Sequence, residues 1–210
     1  MEESLSVFTP DFDQYNRPAK IVTLGQYYPQ PGIAPAKSLI REAKAGYTTN
    51  TSDTKRVQDA VAWTRWINEL NKGRQWPLKR LFERLDPMLA PGIALAVVPS
   101  HDPFHYLSPL RTLAQRLAAE HDRIDATGCL VRHTRIQRII FGGPSTRALH
   151  RDTIHVETPE LVQGRAVLLL DDIAKSGASL MACRQLLLDA GASVVQPFAL
   201  GRLIVNWGEN

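Results

Sequence analysis

Cysteine is nearly missing from this chain: two in 210 residues, Cys129 and Cys183. They stand alone, with no CxxC or other metal-ligand spacing, and read as buried, reduced thiols of a cytoplasmic protein. No apolar run approaches the ~20 residues that a bilayer demands, so no membrane partner is expected. The opening "MEESLSVFTPDFD" is acidic and has no apolar centre, so no signal peptide is expected either. The patterns GxxxxGK[ST] and GxGxxG are lacking, which weakens P-loop and dinucleotide-binding readings. No internal repeat or low-complexity segment is present.

What remains is the composition of an ordinary globular protein, with 44% hydrophobic and 22% charged residues. A chain of this length can bury one sizeable core, with room for a subdomain. The net charge of +4, carried mostly by arginine, suits an anionic ligand such as a phosphate ester and leaves nucleic acid open.

The first 19 residues read as a loose or lightly anchored arm. "IVTLGQYY" (21–28) has strand composition, "PQPGIAP" punctuates it, and "AKSLIREAKAG" (36–46) suits a short helix. "KRVQDAVAWTRWINELNKG" is amphipathic: Val57, Ala60, Val61, Thr64, Ile67 and Leu70 form one stripe, flanked by Trp63 and Trp66. "PLKRLFERLDPML" (77–89) predicts a second helix with Leu78, Leu81, Phe82 and Leu85 inward. Beyond Pro91, "IALAVV" (93–98) is apolar without alternation, as in a strand covered on both faces. A helix over 108–121, a strand over 127–131, the strong strand "RAVLLL" (165–170), a helix over 178–191 and a strand over 192–204 follow. That order predicts an α/β fold with a mainly parallel sheet flanked by helices. We divide it into an N-terminal strand and helical extension, 1–90, and a core, 91–210.

The sharpest feature is "AVLLLDDIAKSGASL" (166–180), where a buried strand runs into two adjacent acids and then a loop of small polar residues. In an open parallel sheet, ligands bind beyond the carboxyl ends of the strands. Gly177 permits a tight turn, Ser176 and Ser179 offer hydroxyls, and the next helix presents unpaired N–H groups, which together suit an anion. Asp171 and Asp172 would repel a phosphate but accept hydrogen bonds from a neutral diol. A ribose 5-phosphate satisfies both halves. A receiver-type metal pair and a plain surface turn are the competing readings.

These residues carry a resemblance. "VLLLDDIAKSGAS" resembles the phosphoribosyl pyrophosphate motif of type I phosphoribosyltransferases, and "VVPSHDPFHYLSPLRTLAQRLA" resembles their pyrophosphate-loop strand and helix. "LVRHTRIQRIIFGGPSTRALHRDTIHV" is similar to the hood of the competence protein F (ComF-like) branch, close to the amidophosphoribosyltransferase-like enzymes. The resemblance covers the second half of the chain. Two departures stand out: the branch's cysteine-rich zinc module is absent, and "SHDPFHYLSP" replaces a basic pyrophosphate loop. Lys175 stands where purine-salvage relatives carry an aspartate, which argues against hypoxanthine–guanine salvage.

The resemblance implies a type I phosphoribosyltransferase fold with a hood over about 132–160. It also implies transfer of ribose 5-phosphate from phosphoribosyl pyrophosphate to a small-molecule acceptor. Asp171 and Asp172 would be catalytic and hold the sugar, with Ile173, Ala174, Lys175, Ser176, Gly177, Ala178 and Ser179 completing the ribose 5-phosphate site. Pro99, Ser100, His101 and Arg111 would form the pyrophosphate loop, and Arg132, Gln137 and Arg147 the hood. Mg2+ is the implied cofactor, held mainly by substrate with no dedicated protein ligands. A flap over about 132–152 would exclude water; "FGGP" (141–144) reads either as its hinge or as a plain turn.

Two alternatives share these residues: a single-stranded DNA binder using Arg132, Arg135, Arg138, Arg147 and Arg151 as a backbone track, and a sensor of the sugar diphosphate without turnover. Oligomeric state is open. His101, His105 and Asp102 form a weak metal candidate, His133 and His150 read as solvated loop histidines, and Trp207 stacks on a base or packs a terminus.

Overall fold

The computed structural model describes residues 6–27, 62–104, 107–137 and 146–203. Outside it lie the helix expected over 36–46, the start of the helix over 55–73, His105, Arg138, "FGGP" (141–144) and Trp207.

Strand β1 is Val22–Tyr27. Residues 62–71 are helical (α1). Then come α2 (Gln75–Leu85), β2 (Ala94–Val97), α3 (Pro109–Ala118) and β3 (Ile124–Asp125). The chain continues through β4 (Leu130–Arg132), α4 (Arg147–Thr153), β5 (Ile154–Val156), β6 (Ala166–Ala174), α5 (Ala178–Asp189) and β7 (Val194–Leu203).

Five strands form one sheet in the order β1-β7-β6-β2-β3, every pair parallel. The strand expected over 127–131 is not a strand of the main sheet: residues 127–129 form a turn. Leu130 and Val131 belong to β4, which pairs antiparallel with β5 in a separate two-stranded ribbon, while the sheet edge is the two-residue β3. β6 is also longer than "RAVLLL" suggests, because β7 stays paired with it as far as Ala174↔Arg202.

The helices form where the apolar spacing says. Leu78, Leu81 and Leu85 of α2, and Leu110, Leu113, Ala114 and Leu117 of α3, are buried. Ser108 caps α3, its Oγ accepting from the Arg111 N–H at 3.1 Å. One sheet face, with Leu168, Leu170, Phe198 and Leu200, is covered by α1, α2, α3 and the first residues, where Val7 and Phe8 are fully buried. The other face, with Val167, Leu169 and Val195, packs on α5 and the β4–β5 ribbon. The opening arm is therefore anchored: Phe8 bridges Leu89, and buried Gln196 accepts from Arg17 N–H (2.7 Å) and donates to the Lys20 carbonyl (2.9 Å). Arg123, almost wholly buried, ties Asp86 (2.6 Å) to four backbone carbonyl contacts at the ends of α2 and α3. No helix among the described residues is long and apolar enough to cross a membrane.

Helix α1 reaches the sheet through a trough of two glycines. Gly25 of β1 and Gly201 of β7 are register partners. Trp63 lies over the first and Ile67 over the second: a Cβ on Gly25 would collide with the Trp63 ring at Cδ1, and one on Gly201 would stand 2.7 Å from Ile67 Cδ1. Glycine within a strand marks such close approach. Gly25→Ala should lower stability by about 1–3 kcal/mol through overpacking. Chemical denaturation of Gly25→Ala, Trp63→Phe and the double variant checks this: a double variant less impaired than the sum of the two supports the trough, and strict additivity contradicts it.

Candidate functional site

The sheet order reverses between β2 and β6. From β2 the chain crosses through α3 to β3 on one side, and from β6 through α5 to β7 on the other. Neighbouring strands with diverging connections leave a crevice beyond their carboxyl ends, where open α/β sheets bind ligands. Asp171 and Asp172 lie at that point.

β2 ends at Val97, opposite Leu170, and the last bond across this pair is Val98 N–H to the Leu170 carbonyl (2.9 Å). β6 continues through Asp171–Ala174 with β7 on one side and no strand on the other among the described residues. The acids are thus part of the strand, not of the loop after it, and side chains alternate along a strand. Asp171 turns to the α5 face, where Oδ2 accepts from Ser179 Oγ (3.2 Å) and Oδ1 from the Asp172 N–H (3.0 Å). Asp172 turns to the α1 face, where Oδ2 accepts from Asn71 Nδ2 (2.9 Å) and Oδ1 from the Ile173 N–H (2.7 Å). Each carboxylate has about four acceptor sites, and these bonds use two of them. A molecule seated past the end of β2, edge-on to β6, is flanked by one acid above and one below. Burial, with the Asp172 charge second, pushes the Asp171 carboxyl well above the ordinary range.

The turn after β6 is short. Lys175 and Ser176 are exposed, and Gly177 and Ala178 are buried. Gly177 is the N-cap of α5 at φ +75°, and a Cβ there would collide with Ile21 Cδ1, so both backbone and space demand glycine. A glycine N-cap gives no side-chain cap to the first-turn N–H groups, and Ser176 Oγ takes the one on Ala178 (3.3 Å).

On the β2 side, Pro99, Ser100 and His101 are half-buried and follow directly from the last ladder bond, so they form the crevice's other wall. Arg132 holds that wall from beneath. It is 4% exposed and donates to the Ser100 carbonyl (Nε, 2.6 Å), Thr153 Oγ1 (Nη1, 2.5 Å) and His150 Nδ1 (Nη2, 3.2 Å). The Ile136 N–H adds a bond to the His101 carbonyl (3.0 Å), and Arg135 pairs with Asp102.

Arg111 donates to the Thr127 carbonyl (2.6 Å), on the loop after β3. Gln137 is exposed, and Arg147 is exposed at the first turn of α4. All three sit on elements other than β6 and α5. A groove of about 360 Å3, lined by Gln14, Tyr15, Arg17, Lys20, Ile21, Val22 and Thr23, lies at the start of β1 and contains no acid. Among the described residues no group of three or more His, Cys, Asp or Glu is arranged to hold a metal.

No protein-family model matches this chain. No curated protein matches it either. The site therefore stands on its own geometry.

Two sequence expectations need correction. His150 is not a solvated loop histidine: it lies in α4 and is 2% exposed. Because Arg132 can only donate, Nδ1 accepts and the ring proton sits on Nε2, which has no partner among the described residues. Nor does Arg132 belong to an exposed track, since its guanidinium is buried. The sequence does not single out Asn71, Asn68, Tyr27 or Thr153. Only the two strand glycines, marking a close approach by α1, point toward the first three. Cys129 and Cys183 are buried free thiols as expected; burial pushes Cys129 up to about 12 and raises Cys183 further.

Two stability measurements follow. Burial, and secondly the Arg132 charge, lower His150 from 6.5 to about 4. The unfolded chain then takes up the proton first, so stability is full above about pH 6.5 and falls by up to ~3 kcal/mol as pH drops toward 4. In denaturation across that range His150→Gln should remove this share of the slope; an unaltered slope contradicts it. Asp171 has the opposite sign. Its raised carboxyl favours the fold below about pH 3.9 and loses that contribution as pH rises through its folded value. Asp171→Asn should raise the unfolding midpoint at pH 8 and make little difference near pH 3.5, whereas a loss at pH 8 contradicts the burial cost.

Proposed function

We propose that this chain is a type I phosphoribosyltransferase-like protein of the competence protein F branch. In this reading it binds phosphoribosyl pyrophosphate in the crevice beyond β2 and β6 and passes ribose 5-phosphate to a small-molecule nitrogen acceptor, with release of pyrophosphate. One observation carries the reading: the reversal of strand order coincides with two acids flanking a free strand edge, one turn away from a glycine-started helix.

The roles follow from the chemistry. Asp171 and Asp172 accept from the ribose hydroxyls. Lys175, Ser176 and the first-turn N–H groups of α5 hold the 5-phosphate. The hydrogen bonds to a charged oxygen, about 1.5–3 kcal/mol each, outweigh the helix dipole at about 0.3–1 kcal/mol. Pro99, Ser100 and His101 face the pyrophosphate, and buried Arg132 fixes their backbone. Water must also be excluded, because hydrolysis competes with transfer.

Mg2+ suits the hard oxygen donors of Asp171 and Asp172. Set on opposite faces, the two acids fit a cation that arrives on the diphosphate and takes most of its ligands from substrate and water. Bound there, it would offset the charge on the leaving pyrophosphate. The single-stranded DNA alternative is weakened by the burial of Arg132 and the pairing of Arg135 with Asp102. Sensing without turnover uses the same crevice and differs only in releasing no pyrophosphate.

Calorimetric titration with phosphoribosyl pyrophosphate and Mg2+ tests the reading. Neutralising both acids, Asp171→Asn with Asp172→Asn, should weaken binding by about tenfold or more per acid, at the value of a hydrogen bond to a charged group. Equal affinity in the double variant contradicts the site. Pyrophosphate release with a panel of nitrogen acceptors separates transferase from sensor.

A further inference from the structure

Helix α1 ends over the carboxyl ends of the strands. Asn68 and Asn71, three residues apart, share a face there. Asn68 Oδ1 accepts from the Tyr27 hydroxyl at 2.8 Å, and Asn71 Nδ2 donates to Asp172 Oδ2 at 2.9 Å. These partners are 41 and 101 residues away in the chain, so the contacts exist only because the Gly25–Gly201 trough brings α1 down onto the sheet. Burial, followed by the charge on Asp172, raises the Tyr27 phenol, which therefore stays a neutral donor to Asn68.

Asp172 is held at both oxygens, by the Ile173 N–H and by Asn71. The first bond is local and leaves the side chain free to turn about it. The second comes from a separate element and fixes the direction in which the remaining lone pairs point. Asn71 is itself exposed, so core packing does not account for its position.

We propose that Asn71 is a positioning residue of the sugar site, fixing the Asp172 carboxylate toward the crevice as an acceptor for a ribose hydroxyl. Helix α1, from the N-terminal part of the chain, is then a component of the ligand site as well as part of the core. The inference rests on the ribose 5-phosphate reading above. An amide donor orients the carboxylate, whereas a second acid in its place would repel it.

The test uses the full chain with Asn71→Ala and Asn71→Asp. Calorimetry measures ribose 5-phosphate and inorganic phosphate at pH 8. In Asn71→Ala, ribose 5-phosphate should bind about tenfold more weakly with inorganic phosphate unchanged. In Asn71→Asp the loss should be larger, because the introduced carboxylate repels Asp172 instead of donating to it. A merely structural role weakens both ligands alike. Equal losses for both ligands, or an Asn71→Asp variant no weaker than Asn71→Ala, overturn the proposal. Wild-type protein that binds phosphate but gains nothing from the sugar overturns the site reading and the proposal together; normal sugar binding in the variants overturns the proposal alone.

Discussion

A parallel ladder lasts only as long as its shorter strand. β2 stops opposite Leu170, while β7 carries β6 on to Ala174. The overrun gives β6 a free edge beside the crevice, and the pleat sends its two acids to opposite faces. Adjacent carboxylates that shared one face would repel strongly. Split by the strand, each acquires its own donors, Ser179 for one and Asn71 for the other, while still flanking the same edge. The two acids still feel each other: burial first and the Asp172 charge second raise Asp171. A site that holds such a carboxyl away from its ordinary state gives up some stability for readiness to bind.

The opposite wall depends on a buried cation. Arg132 leaves β4, outside the main sheet, and spends its hydrogen bonds on a carbonyl, a hydroxyl and an imidazole. A guanidinium without a carboxylate is costly to bury, and each neutral partner offsets part of that cost. Its geometry joins three elements: the loop after β2, the end of α4 and the β4–β5 ribbon. The neutral state of His150 is part of this arrangement, because a second positive charge on Nδ1 would face Arg132 directly. The ribbon is thereby tied to the crevice by its interior.

The fold was largely legible in the residues. Unbroken apolar runs at 93–98 and 165–170 announce strands covered on both faces, and the stripes of α2 and α3 match the buried side chains. The acids and their glycine turn also stood out, because two charges at the end of such a run have no packing role. Less visible was everything set by distant partners. The length of β6 comes from β7, since "DDIA" by itself reads as loop. His150 is buried by Arg132 and Thr153, whereas its arginine-rich neighbours suggest solvent. Asn71 sits in an ordinary polar helix end and meets Asp172 only through the tertiary approach of α1. Local patterns reveal elements; contacts across 100 residues or so depend on how those elements pack.

The central claim is that a sugar phosphate lies between the end of β2 and the free edge of β6, on the first turn of α5. Backbone amide shifts on titrating ribose 5-phosphate into the labelled protein test it most directly. The account predicts saturable shifts concentrated at residues 98–101 and 171–180. Shifts confined to the groove at Gln14–Thr23, or none at millimolar ligand, would contradict it.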